Sequence, residues 1–151
     1  MDRLLTDSHA MVPLSPDAAL VTALAGTAMP FAHSTEDQVQ RWFRALRLHG
    51  RVGAAMQALG VGEAALVEAE ESANPAAQAH PDPEAAEHVI ARAGEMAAER
   101  EANTVSTLDI LAALFDVYGP LMDRALYERG SSREELDARI AEMDERAEAA
   151  H

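Results

Sequence analysis

The sequence predicts an all-α protein of eight helices, arranged as two pseudo-twofold-related four-helix repeats packed into one globule. Three observations carry that expectation. Alanine is abundant and aromatic residues make up only 4% of the 151 residues, a composition that favours helices with small contact residues over sheets. Apolar residues recur at helical spacing in successive segments, opened by Ser, Asp or Pro start signals and often closed by glycine. The same series of signals also occurs twice. Ser34-Thr35-Glu36-Asp37 matches Ser106-Thr107-Leu108-Asp109 at an offset of 72, and Ala55-Met56 with Gly60 matches Ala125-Leu126 with Gly130 at an offset of 70.

The elements follow in order. Residues 1–14 read as a flexible tail and 15–73 as repeat 1. Ser15-Pro16-Asp17 combines an N-cap serine with a proline at the first helical position, where its missing N–H is harmless, and the helix is expected to run to about Met29. Ser34 caps a second helix to about Leu48, whose Val39, Trp42, Phe43 and Leu46 fall on one face. Short helices are expected over about 52–59 and 63–72. Residues 74–83 hold three prolines and form a linker, since proline cannot continue a helix. Repeat 2 spans 84–145. It has a helix to about Glu101, a second capped by Ser106, a break at Gly119-Pro120, a third to about Arg129, and a last one opened by Ser131 and Ser132 and carrying Leu136, Ile140 and Met143. Residues 146–151 are a C-terminal tail.

Composition narrows the chemistry. The chain has no cysteine, which removes disulfides, thiolate metal sites and cysteine nucleophiles. All twelve basic residues are arginine, so a phosphate-binding P-loop and Schiff-base catalysis, which need lysine, are excluded. No run approaches the ~18 apolar residues of a membrane span, and the Met-Asp-Arg start lacks a signal-peptide layout, so a cytoplasmic protein with no membrane partner is expected. The net charge is −14 and lopsided: residues 1–66 carry −1, residues 67–151 carry −13. Such a surface repels phosphate backbones, which argues against nucleic acid.

The six histidines show no helical i, i+4 pair, so no metal site is expected. No Gly-x-Ser-x-Gly elbow occurs, no cofactor motif is present, and a non-enzyme is expected. One basic feature stands out. Arg41, Arg44, Arg47 and Arg51 fall within about a third of a helix circumference at ~100° per residue, opposite the Trp42 face. The stripe is either solvated, paired with the acidic second half, or a docking patch for an acidic partner, since arginine forks suit carboxylates.

Pro83-Glu84-Ala85-Ala86-Glu87-His88-Val89-Ile90-Ala91-Arg92-Ala93, then Ser106 through Leu114, then Leu126-Tyr127-Glu128-Arg129-Gly130 and Leu136 resemble the Clp N-terminal (Clp repeat) domain of ClpA/ClpC-type AAA+ unfoldases. Ser34 to Asp37 and Ala58-Leu59-Gly60-Val61 are similar to the same pattern in the first half, so the resemblance covers residues 15 to about 145. It implies a module that docks a Clp unfoldase, its adaptors or its substrates. Phosphoarginine and cyclic peptides are among the ligands the resemblance implies. Carried over by position, Thr35, Glu36 and Thr107 are the phosphoarginine contacts, a helix N-terminus receiving the phosphate and a carboxylate the guanidinium. Leu108 replaces the second glutamate, and Asp37 and Asp109 stand where the family has histidine. Full-length proteins of that family continue into ATPase modules; this chain is expected to be without them, a free-standing protein with a decoy, sequestering or adaptor role. The alternative is a helical oligomerisation or structural module outside proteolysis.

Overall fold

The computed structural model describes residues 12–60 and 84–149. Within them the chain forms α1 (Pro16–Ala28), a 3-10 turn (Met29–Phe31), α2 (Thr35–Leu48), α3 (Gly50–Ala58), α4 (Ala85–Glu99), α5 (Thr107–Tyr118), α6 (Pro120–Glu128) and α7 (Arg133–Ala149). The all-α expectation holds, with seven α-helices among the described residues. The helix expected over 63–72 and the linker at 74–83 lie outside them.

Local chemistry sets the helix starts. Ser15 Oγ accepts the Ala18 N–H at 3.1 Å, and Ser34 Oγ accepts that of Asp37 at 3.0 Å. At α5 the cap is reciprocal. Ser106 Oγ accepts the Asp109 N–H at 3.4 Å, and the Asp109 carboxylate accepts the Ser106 N–H at 2.9 Å. Such caps each stabilise a helix by about 1 kcal/mol. Ser132, rather than Ser131, caps α7, its Oγ accepting the Glu135 N–H at 3.1 Å.

The helices share one core. Val21, Val39, Trp42, Leu46, Val52 and Met56 from the first half join Ile110, Leu114, Met122, Leu126 and Leu136 from the second. α1 packs on α2, α4 and α5; α2 packs on α3 and α6; α3 packs on α5 and α7; α4 and α6 both pack on α5. The Tyr118 hydroxyl donates to Gln38 Oε1 at 3.0 Å inside the core, tying α5 to α2. A buried polar pair of this kind is tolerated because each group has its partner.

Two boundaries differ from expectation. Residues 12–14 are part of the fold rather than of the tail. Val105 N–H donates to Pro13 O at 2.8 Å and Ser15 N–H to Val105 O at 2.9 Å, while Val12 and Leu14 pack on the core. The alternation Val12-Pro13-Leu14-Ser15 suits an extended segment with one face inward. At the other end α7 continues to Ala149, past residue 145.

Candidate functional site

The arginine stripe does not survive as one surface. α2 ends at Leu48, and His49 turns the chain with extended backbone at φ −141° and ψ 144°. Gly50 follows at φ +83°, a left-handed conformation that glycine adopts without penalty. A Cβ there would also lie 2.9 Å from the Thr107 side chain. Glycine therefore lets the start of α3 press against the start of α5. Arg51 belongs to α3 as a result and leaves the α2 face.

The consequence is a cleft of about 450 Å³ lined by Arg51 and Thr107 together with Ser15, Asp17, Arg100 and Leu108. Two residues chosen on unrelated grounds thus line one cleft. Thr107 is 4% exposed. Arg100, not singled out from the sequence, donates from Nε to Asp109 Oδ1 at 2.9 Å and from Nη2 to Oδ2 at 2.5 Å. This bidentate pairing raises the Arg100 pKa and occupies the Asp109 carboxylate, which also serves the α5 cap. Nothing local in the sequence announces the pair. It depends on the turn after α4 returning Arg100 to the start of α5.

Thr35 and Glu36 lie at the other matched helix start, apart from that cleft. Thr35 is half-buried as the first residue of α2. The Glu36 side chain is 13% exposed, with Arg124 Nη1 of α6 3.9 Å from its Oε2. Burial pushes the Glu36 carboxyl above the usual carboxylate range; Arg124 opposes this, Glu128 adds to it, and Arg129 opposes it. The folded protein therefore holds the Glu36 proton more tightly than the unfolded chain. Stability conferred by that proton is present at acid pH and is lost as pH rises through the folded pKa. Glu36→Gln is expected to raise the melting temperature at pH 7 and to leave it unchanged well below pH 4. A lower melting temperature at pH 7 would show that the attraction of Arg124 and Arg129 outweighs burial.

Arg41 fastens one end of the fold. Its Nη1 donates to Ala28 O and its Nη2 to Phe31 O, both at 3.3 Å, and its Nε lies 3.4 Å from Asp37 Oδ2. Arg44 is exposed. The two arginines line a groove of about 200 Å³ between α1 and α2 with Leu24, Ala28, Ala45 and Leu48. Arg47 is half-buried near the α2 C-terminus, where its carbonyl accepts Gln57 Nε2 at 2.6 Å.

A third concavity was not anticipated from sequence. The extended segment Val12–Leu14 and one side of α4 enclose about 730 Å³, with Ile90, Ala91, Gly94 and Val105 on its walls. Its lining is mostly carbon, which suits apolar side chains of a ligand or partner. The Val12/Leu14 alternation was the available signal, obscured by the proline between them.

Among the described residues, no three His, Asp or Glu side chains converge in a metal-binding arrangement. No helix among them is long and apolar enough to cross a membrane. No protein-family model matches the chain, and no curated protein matches it.

Proposed function

We propose that this chain is a partner-binding module of the Clp N-terminal type, without catalytic activity of its own, that docks unfoldases, adaptors or substrates of a Clp system. The groove between Val12–Leu14 and α4 carries the reading. It is large, mostly apolar and open between the extended segment and α4, and it suits a peptide segment or a compact cyclic peptide. The second cleft, lined by Arg51 and Thr107 at the α5 start with Asp17 and the Asp109-paired Arg100 beside them, is where the resemblance would put phosphoarginine.

The order of helix contacts supports the two-repeat organisation. Exchanging α1, α2 and α3 for α4, α5 and α6 carries the α1–α2 contact onto α4–α5 and the α2–α3 contact onto α5–α6. It likewise carries α2–α6 onto α5–α3 and leaves α1–α4 in place. Phe43 and Phe115, 72 residues apart, each lie under an arginine, Arg129 at 4.9 Å and Arg133 at 4.2 Å. These arginines lie beyond α6, so the aromatic positions match while the cations follow one another in sequence.

Affinity capture from native lysate, read by mass spectrometry, tests the proposal. The intact chain is expected to retain Clp-family ATPases, their adaptors or arginine-phosphorylated proteins. Ala91→Glu, which places a carboxylate on the apolar groove at an exposed helix position, is expected to lose them with its melting curve unchanged. Recovery of no proteolytic component, or equal recovery by the variant, overturns the assignment.

A further inference from the structure

The extended segment before α1 has a main-chain edge that the fold leaves open. Leu14 forms a parallel bridge with Val105. The bridge consists of Val105 N–H donating to Pro13 O at 2.8 Å and Ser15 N–H donating to Val105 O at 2.9 Å. In extended backbone the N–H and C=O of one residue point to the same side, and those of its neighbours point to the other. Pro13 O and Ser15 N–H face Val105, so the Leu14 N–H and C=O point away from it. Neither group has a hydrogen-bond partner among the described residues. Pro13 cannot donate, but its missing N–H falls on the side already paired, so the open side loses no donor.

Leu14 also lines the groove of about 730 Å³ beside α4. On the α4 wall Ala91 and Gly94 are small, which leaves room for the side chains of a ligand. Among the described lining residues Glu95 alone is charged, and its carboxylate accepts Arg92 Nη1 at 2.9 Å. Charge therefore does not select what binds there. An open strand edge is a template for one more strand, and an apolar groove beside it receives every second side chain of that strand. A helix satisfies its own backbone groups internally and has none to offer Leu14. An open main-chain edge on an apolar groove thus specifies the backbone conformation of the occupant.

We infer that the groove beside α4 binds an extended peptide segment of a partner protein by strand addition. The main chain of the segment pairs with the Leu14 N–H and C=O, and apolar side chains at alternate positions enter the groove over Ala91 and Gly94. This inference rests on the reading of that groove as a docking site, and it names the form of the ligand without requiring any Clp component. Recognition through main chain and shape accepts many sequences that share the apolar alternation, which suits a module that receives varied substrates.

The test uses the full chain and a fluorescent peptide of about eight residues, an ordinary strand length, in which valine and serine alternate. One counterpart has the same residues with the valines adjacent, and another is a leucine-rich amphipathic helix of about 20 residues. Two more are N-methylated, on every valine or on every serine, which removes the donors of one edge or the other and keeps the side chains. The alternating peptide is expected to bind at least about tenfold more tightly than the adjacent-valine and helical peptides, and not to weaken toward about 0.5 M salt, since no charge pair is screened. One N-methylated peptide is expected to lose at least about tenfold in affinity while the other binds like the parent, and amide exchange at Leu14 is expected to slow on binding. Gly94→Leu fills the groove where an added Cβ meets no neighbouring atom within 4 Å, so affinity is expected to fall with the melting temperature not lowered. No binding of the alternating peptide, equal binding of the helical one, equal tolerance of both N-methylated peptides, or unchanged exchange at Leu14 overturns the inference. So does a homodimer in sedimentation that Gly94→Leu dissolves, which would assign the edge to a second copy. Strand-type peptide binding with no Clp component captured from lysate would remove the Clp assignment and keep this site; capture that Ala91→Glu abolishes, with N-methylation without effect, would do the reverse.

Discussion

Trp42→Ala is expected to lower the unfolding free energy by about 3–5 kcal/mol, the usual range for deleting a buried indole. Trp42 is fully buried and sits with Val39, Phe43 and Leu46 on the inward face of α2. That helix packs on α1, α3 and α6, so the cavity opens where both halves of the chain meet. A domain of this size has only about 5–15 kcal/mol of stability in total, and a large share of it is at stake. Trp42→Phe is expected to lose much less. It keeps most of the ring contact, and it removes an indole N–H that is buried without an acceptor among the described residues, a group that is itself destabilising when unpaired. Urea unfolding followed by circular dichroism measures both variants, since Trp42 is the sole tryptophan and its fluorescence is lost on substitution. Equal losses for the two would show that ring volume is not what α2 contributes to the core.

Gly53→Ala is expected to destabilise by about 1–3 kcal/mol, the range for forcing extra volume into a packed interior. The sign is the point of the experiment. In an exposed helix interior the same change gains about 1 kcal/mol, because alanine is the better helix former. Here a Cβ would stand 2.4 Å from Leu46 O and 2.9 Å from Arg47 O. Those are backbone atoms of α2 and cannot rotate aside. Relief requires α3 to move off α2, carrying the buried Val52 and Met56 with it. Gly94→Ala is the internal comparison. Gly94 lies within α4, and a Cβ added there would meet no atom of a neighbouring element within 4 Å, so this variant is expected to gain stability. If both alanines stabilise, α2 and α3 are not in the close contact described.

The inward face of α2 was legible because helical periodicity is local: Val39, Trp42, Phe43 and Leu46 are spaced for one face and all are buried. The starts at Ser15, Ser34 and Ser106 were legible for the same reason, since a cap needs only a side chain and an amide three residues on. Glu36 was singled out by position alone. Its raised pKa comes chiefly from burial against α6, which the residues around it do not announce.

The arginines show where local reading stops. At ~100° per residue, four of them fall on one stripe, but that rule holds only while the helix continues. The turn at His49 and Gly50 sends Arg51 to the cleft with Thr107, leaves Arg44 on the α1–α2 groove and gives Arg41 the task of holding the 3-10 turn.

By itself the sequence determined that this chain is helical, where most helices begin and break, which α2 residues face inward, and that lysine- and cysteine-dependent chemistry is closed to it. These follow from side-chain identity and from spacings of a few residues. Only the tertiary structure decided that Arg100 pairs with Asp109, that Arg51 and Thr107 line one cleft, that Val12 and Leu14 wall a groove with Ile90, and that Leu24 and Arg44 line another. Each of these joins segments whose approach is set by how whole helices pack, and packing sums many weak contacts that no short stretch of sequence contains.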